Sequence, residues 1–99
     1  MLNPISRQEE STFPTFTSHE DAAAFFKKRY GADFVLQDSE PIGEQLCYFY
    51  AIVTNHEDYF HGRKLLSKGE PMSGEIGLKF LLSYQPVQIM EDGSVHIVH

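Results

Sequence analysis

The apolar and polar positions of residues 18–30 repeat with the period of an α-helix. The apolar positions recur at steps of three and four residues, at Ala22, Phe25, Phe26 and Tyr30. Acidic residues stand in the first turn and three basic residues in the last, where the helix dipole favours each sign. Thr17 with Glu20 has the spacing of a capping box, and Ser18 with Asp21 is a second, overlapping option. Because Gly31 can take the left-handed conformation that ends a helix, we predict a helix over 18–30.

An unbroken run of β-branched and aromatic residues predicts the strongest strand, at residues 46–54. Successive side chains of a strand point to opposite faces. One face carries Cys47, Phe49, Ala51 and Val53, and the other carries Leu46, Tyr48, Tyr50 and Ile52. The first face is wholly apolar, so we expect it to meet the helix, whereas the second face is amphipathic. A shorter strand is predicted at 33–37, followed by a turn at 39–44.

Residues 76–84 alternate moderately between apolar and other side chains and predict a further strand. Its apolar face would carry Ile76, Leu78, Phe80, Leu82 and Tyr84. The preceding residues 68–77 are rich in glycine and predict a loop. Residues 86–99 then predict a C-terminal β-hairpin, because a glycine-containing turn separates two aliphatic runs.

The register of this hairpin can be predicted from burial. A three-residue loop at 91–93 places four aliphatic side chains on one face of the hairpin. The resulting pairs are Ile89 with Val95 and Val87 with Ile97. A two-residue loop at 92–93 would mix polar and apolar side chains on both faces, because a shift by one residue turns every side chain over. We therefore predict the three-residue loop.

Residues 56–68 fit two structures. A helix would begin at Asn55, with Asp58 at the third position as the partner of the cap. Gly62 in the middle of that helix would lower its stability by about 1 kcal/mol relative to alanine. A strand over 59–66 would instead pair back on residues 46–54. The pattern leaves both structures open.

Together these elements predict an α+β fold in a single domain at residues 16–99. One N-terminal helix would pack on a four- to five-stranded, mostly antiparallel sheet that ends in the C-terminal β-hairpin. Residues 1–15 are polar, contain two prolines and have no periodicity, so we expect a flexible arm. Phe13 and Phe16 are expected to hold the end of this arm on the core.

Composition and charge narrow the class of protein. With 99 residues, 41% of them hydrophobic, the chain can form one folded core. The net charge of −6 is spread along the sequence, which disfavours binding to nucleic acid or to an anionic membrane. The longest apolar run, residues 46–53, is much shorter than the roughly 20 residues of a membrane span. The N-terminus also lacks the apolar segment of a signal peptide, so we predict a cytoplasmic protein.

Few residues of the sequence suggest a catalytic or metal-binding site. Cys47 is the single cysteine, which excludes an intramolecular disulfide, and it lies in the most apolar strand, so we expect it to be buried. His56 and His61 would lie about 140° apart on a helix and on opposite faces of a strand, so neither structure directs both at one metal. Glu57 and His61 form the candidate polar site, although a surface contact of about 0.3 kcal/mol is the simpler interpretation. We predict no catalytic residue, no metal and no cofactor.

The candidate interaction surface is the amphipathic face of the central strand, at Tyr48, Tyr50 and Ile52, because tyrosine is common at protein interfaces. The favoured hypothesis is a small non-catalytic binding or regulatory module that acts through a protein partner or self-association. A first alternative is a small enzyme or small-molecule binder with a pocket between helix and sheet, served by Glu57, His61 and Tyr50. A second alternative is an acidic inhibitor or immunity-type protein.

Overall fold

The chain forms four helices and four strands within residues 5–71 and 74–98, which the computed structural model describes. In chain order they are α1 (Arg7–Glu10), α2 (His19–Tyr30), β1 (Phe34–Ile42), β2 (Gln45–Val53), α3 (His56–Ser67), α4 (Gly74–Leu81), β3 (Tyr84–Met90) and β4 (Val95–Ile97). A single 3-10 turn, Gly31–Asp33, connects α2 to β1. None of these helices is long and apolar enough to cross a membrane.

The four strands form one antiparallel sheet in the order β1-β2-β3-β4. The predicted α+β fold is therefore confirmed, and the sheet predicted to have four or five mostly antiparallel strands has four, all antiparallel. The prediction of a single helix on that sheet is wrong in part, because helices also follow the central strand. Helix α2, the helix predicted at 18–30, covers one face of the sheet, and α3 with α4 covers the other.

Of the two predicted caps, the structure has the second, with the Ser18 hydroxyl accepting a hydrogen bond from the Asp21 amide at 3.1 Å. It packs on the face of β2 that carries Tyr50 and Ile52, which join the buried Phe26 in one core cluster. The prediction that α2 meets the wholly apolar face is wrong. The amphipathic face can be buried because the hydroxyl of Tyr50 has a hydrogen-bond partner on α2, described below.

The opposite face of β2 is covered by α3 and α4. Ala51 and Val53 form a second core cluster with Tyr59 of α3 and Phe80 of α4. The helical alternative for residues 56–68 is correct, and the side chain of Asn55 accepts a hydrogen bond from the backbone amide at the third position of α3. The sheet therefore has two cores, one on each side.

The predicted loop at 68–77 and the predicted strand at 76–84 are both wrong in part, because helix α4 overlaps both segments. Leucine, lysine and glutamate are strong helix formers, and Glu75 and Lys79 form an i,i+4 ion pair at 3.2 Å. The ring of Phe80 then packs directly against Gly62 of α3, which has no side chain to exclude it. Strand pairing begins only at Tyr84. Residues 72–73 of the predicted loop lie outside the described residues.

Strand β1 is longer than the predicted strand at 33–37, and the predicted turn at 39–44 is much shorter. β1 continues to Ile42, and the turn consists of residues 43–44, where Gly43 has a φ of 64°. Pro41 stays within the strand because β1 is an edge of the sheet, where a missing N–H breaks no ladder bond on the open side.

The hairpin of β3 and β4 has the predicted register, with Ile89 opposite Val95 and Val87 opposite Ile97. Gly93 closes the three-residue loop at a φ of 91°. Pro86 interrupts the ladder because it has no N–H to donate to the carbonyl of Val98. The side-chain amide of Gln85 donates to that carbonyl instead, at 3.3 Å.

The arm predicted at 1–15 is packed on the domain from Ile5 onward, and residues 1–4 lie outside the described residues. Ile5 is 2% exposed, and its N–H and C=O are both bonded to the side chain of Gln85, at 2.6 and 3.0 Å. Phe13 and Phe16 pack against the α2 core as predicted. The ring of Phe13 contacts Phe25 edge-on with the centroids 5.2 Å apart.

Candidate functional site

The predicted interaction surface on β2 lies largely beneath α2. Ile52 is 1% exposed and Tyr50 is 9% exposed, whereas Tyr48 is half-buried. An interaction through these three residues stays a prediction, but only Tyr48 leaves a substantial part of its side chain accessible in this chain.

Tyr48 and Tyr50 are both held by His19, in the first turn of α2. The Nε2 atom of His19 lies 2.8 Å from the Tyr50 hydroxyl, and the imidazole stacks on Tyr48 with the ring centroids 3.6 Å apart. Burial raises the pKa of Tyr50, with smaller contributions from Tyr48 and Glu20. A buried, neutral phenol bonded to an imidazole satisfies its own polar group, so this cluster fastens α2 to the sheet.

Glu57 and His61, the candidate polar pair, share a cleft of about 380 Å³ between α3 and α4. Four other residues line this cleft, namely Asp58, Glu75, Ile76 and Lys79. Lys79 already compensates the acidic side chains, and its pKa is raised first by Glu75 and then by Asp58 and Glu57. The third residue of the predicted enzyme site, Tyr50, is in the core on the opposite face of the sheet. The structure thus brings Glu57 near His61 and keeps Tyr50 away from both.

A histidine–carboxylate pair connects the start of α3 to the 3-10 turn. The Nε2 atom of His56 lies 2.5 Å from Oδ1 of Asp33, and its ring stacks on Phe60. The two residues are 23 positions apart, so no local pattern in the sequence indicates the contact. The imidazole of His56 is 53% exposed, which places the pair at the surface.

Metal-ligating side chains and the thiol of Cys47 are the remaining candidates for chemistry among the described residues. No three or more of their His, Cys, Asp and Glu side chains are grouped so that they could hold a metal ion. Cys47 is buried, as predicted, and the pKa of its thiol is raised by burial and, to a smaller extent, by Glu40. A raised pKa disfavours the thiolate, which is the nucleophilic form.

Among the large apolar residues that the structure describes, the two most exposed are Leu81, at the end of α4, and Leu82, which follows it. Leu78, Leu81 and Leu82, which we call the leucine stripe, are 58%, 63% and 72% exposed. Their i, i+3, i+4 spacing puts them on one side of the helix, while Phe80 points into the second core. The sequence-based strand at 76–84 had placed Leu78, Leu82 and Phe80 together on one face, and for this reason the stripe was missed.

Leu81 and Leu82 form one wall of a groove of about 500 Å³. The other lining residues are Ile5, Thr54, Tyr84, Gln85, Pro86 and Val98. None of the eight carries a charge, so the groove offers mainly apolar contacts with a few hydrogen-bonding groups at its base. Groups of this kind recognise apolar side chains rather than ions.

No protein-family model, curated protein or solved structure significantly matches the chain. Inference about function therefore rests on the geometry described above.

Proposed function

We propose that the protein is a small non-catalytic binding module that acts through a protein–protein surface, formed by the leucine stripe and the adjoining groove. The observation that supports this proposal is the exposure of Leu81 and Leu82, at 63% and 72%, beside a groove without charged side chains. Large exposed apolar patches are uncommon on monomeric proteins and often mark interaction sites. The favoured surface is thus a different one from the tyrosine face of β2.

The burial of the leucine stripe can supply a useful part of a binding free energy. Complete burial of one leucine side chain contributes about 1.5–3 kcal/mol. Since these leucines are 58–72% exposed, a partner that covers them would gain about 1–2 kcal/mol from each, or roughly 3–6 kcal/mol from all three. A factor of ten in affinity corresponds to about 1.4 kcal/mol. Burial of the leucine stripe would therefore raise the affinity for the partner by roughly two to four orders of magnitude.

We propose that the partner is a different protein with apolar side chains at its contact surface, rather than a second copy of this chain. Two copies would each bring a net charge of −6, and like charges disfavour their association. A neutral or basic partner has no such penalty.

The test compares a Leu81→Asp/Leu82→Asp double variant with the wild type and with Leu36→Asp. Leu36 is a matched control, because it is 56% exposed but lies opposite Tyr50, on the other face of the sheet from α4. Tagged chains capture proteins from a lysate of the native host, and quantitative mass spectrometry compares the captured proteins. The proposal predicts a partner that the wild type and Leu36→Asp retain and the double variant loses at least about tenfold.

Binding to the purified partner and light scattering complete the test. All three chains should keep the same circular dichroism spectrum, because the substituted side chains are at the surface. A partner that all three chains retain equally would contradict the proposal. Retention that instead falls steeply with salt would favour the acidic-inhibitor alternative, since exposed charge pairs are screened by ions. A dimer of the wild type that the double variant abolishes would show that the surface binds a second copy.

A further inference from the structure

A cleft with charged walls lies between helix α3 and the edge strand β1, on the face of the sheet opposite α2. Its volume is about 420 Å³. The charged residues that line it are Asp38 and Glu40 of β1 and Arg63 of α3. Small-molecule sites typically measure about 300–1,000 Å³ and have a few polar groups that converge on the ligand, so this cleft has both properties of such a site.

A bulge in strand β1 directs the carboxylates into this cleft. Leu36 pairs with Tyr50 on β2, and the next paired residue, Asp38, lies opposite Phe49, so Gln37 is an extra residue in β1. In a regular strand Asp38 would share the face of Leu36, because side chains two positions apart point the same way. The bulge instead turns Asp38 and the residues after it over, toward α3. Bulges are over-represented next to active sites, where they redirect a side chain.

The charges of the cleft have no ionic partner within residues 5–71 and 74–98, and they form no salt bridge with one another. The Oδ1 atom of Asp38 accepts a hydrogen bond from the amide of Ser39 at 2.8 Å, which leaves its second oxygen available to a ligand. Arg63 thus faces Asp38 and Glu40 across the same space without contact. A molecule that carries both a positive and a negative group could pair with each side.

The positive charge of Arg63 acts inside the cleft. Tyr84 lines the cleft as well, and the pKa of its hydroxyl is raised first by burial and then by Tyr59, whereas Arg63 lowers it. A cation lowers the pKa of a phenol by stabilising the phenolate, and it does so only at short range. The guanidinium of Arg63 therefore lies close enough to Tyr84 to reach a ligand bound beside that ring.

Apolar side chains form the rest of the surface that a ligand would contact. Phe49 and Leu66 both line the cleft, and Phe49 is half-buried while Leu66 is 49% exposed. Phe80 of the second core lines it too. Ligand sites commonly combine such apolar contacts with a few charged groups that fix the orientation of the ligand.

We propose that this cleft binds a free amino acid with a large apolar side chain. The ammonium group would pair with Asp38 and Glu40, and the carboxylate would accept hydrogen bonds from Arg63. The side chain would contact Phe49 and Leu66. A ligand with only a negative charge would be repelled by the two carboxylates, and one with only a positive charge would be repelled by the guanidinium. The proposal does not depend on the leucine stripe.

The first measurement follows the backbone amide resonances of the full chain by NMR during titration with L-leucine and with L-phenylalanine. At least one of the two should cause saturable shifts centred on residues 37–40 and 63–66, with a Kd of about 1 mM or lower. Glycine, which has both charges but no side chain, should bind at least about tenfold more weakly. Shifts that do not saturate for either amino acid, or that centre elsewhere, would overturn the proposal.

The second measurement removes one charge of the ligand at a time. The amide of the better-binding amino acid keeps the ammonium group without the carboxylate, and its N-acetyl form keeps the carboxylate without the ammonium group. Each should bind at least about tenfold more weakly than the free amino acid, because each loses a charge-assisted hydrogen bond. If either blocked form bound as tightly as the free amino acid, the cleft would recognise only one charge and the proposal would be wrong.

Substitutions on the protein should match the blocked ligands. Arg63→Gln should weaken binding of the free amino acid at least about tenfold without weakening that of its amide, which makes no use of the guanidinium. Asp38→Asn/Glu40→Gln should have the same effect on the free amino acid without weakening binding of the N-acetyl form. Lys64→Gln is the matched control, because it removes a neighbouring positive charge of α3 that does not line the cleft. An equal loss in Lys64→Gln and Arg63→Gln would overturn the proposal.

The Leu81→Asp/Leu82→Asp variant separates this inference from the proposed leucine surface. It should bind the amino acid as well as the wild type does, because neither leucine lines the cleft beside β1. A failure of the amino acid to bind the wild type would contradict this inference and leave the leucine surface unaffected.

Discussion

A methyl group at Gly62 tests the packing of α3 on α4, because it would have to occupy space that Phe80 already fills. A Cβ atom built at this position lies 2.2 Å from Cδ1, 2.5 Å from Cγ and 2.8 Å from Cβ of Phe80. Carbon atoms in contact normally lie about 3.5–4.0 Å apart. Since the Cβ of Phe80 is fixed to the backbone, a rotation of the ring cannot relieve the overlap, and the two helices must separate.

Two effects of opposite sign determine the change in stability. Alanine is favoured over glycine inside a helix by about 1 kcal/mol. Overpacking of a close contact lowers stability by about 1–3 kcal/mol, and three overlapping atoms place this site near the upper limit. We expect Gly62→Ala to lower the free energy of unfolding by about 2 kcal/mol, which for a domain of this size is a fall in Tm of roughly 8–16 °C.

Urea denaturation followed by circular dichroism measures this change, and Phe80→Ala provides the matched background. Phe80→Ala alone should destabilise by about 3–5 kcal/mol. In that background Gly62→Ala should be neutral or stabilising by up to about 1 kcal/mol, because the ring is gone and the helix propensity remains. An increase in stability from Gly62→Ala in the wild type, or the same loss in both backgrounds, would refute the reasoning.

Two other changes in stability follow from the structure. Gly93→Ala should lower the free energy of unfolding by about 2–4 kcal/mol, because a Cβ there would lie 2.6 Å from the backbone oxygen of Phe16 at a φ of 91°. Gly43→Ala, with a φ of 64° and open space around it, should cost only about 1–2 kcal/mol in the same urea titration, and equal losses would contradict the role of the contact. The pKa values of Tyr30, Tyr50 and Tyr84 are raised, mainly by burial, so neutral phenols are favoured in the folded state. The free energy of unfolding should keep its full tyrosine contribution below about pH 10 and lose it as the pH rises further, and urea titrations that give the same value at about pH 8 and 11 would exclude this.

The parts of the fold that could be predicted are those in which local signals agree. Helix α2 has apolar residues at helical spacing, an N-terminal cap, acidic residues in its first turn, basic residues in its last turn and a terminating glycine. Its start was predicted to within one residue. The register of the β3–β4 hairpin was predicted because only one alignment groups the aliphatic side chains. In both segments the local pattern and the tertiary structure impose the same choice.

Helix α4 could not be predicted because its apolar residues fit both the spacing of a helix and the alternation of a strand. Ile76, Leu78 and Phe80 alternate as in a strand, while Leu78, Leu81 and Leu82 follow the spacing of a helix. The deciding contact is between Phe80 and Gly62, which are 18 positions apart in the sequence. Gly62 itself counted against helix α3 when only its low propensity was considered, whereas its close contact with Phe80 explains its place there.

The polar contacts of the candidate sites depend on tertiary structure even more strongly. His19 meets Tyr50 across 31 positions, and His56 meets Asp33 across 23. Neither pair has a spacing that a sequence motif could reveal. The sequence did indicate Glu57 with His61, because an i,i+4 pair requires only that the local segment is helical.

The leucine stripe proposed for binding consists of apolar side chains that a folded chain usually buries. The polar residues that first suggested chemistry, among them His19 and Tyr50, prove to satisfy one another. A residue that is unusual in sequence is therefore a weaker guide to the proposed function here than an ordinary leucine that the fold leaves exposed.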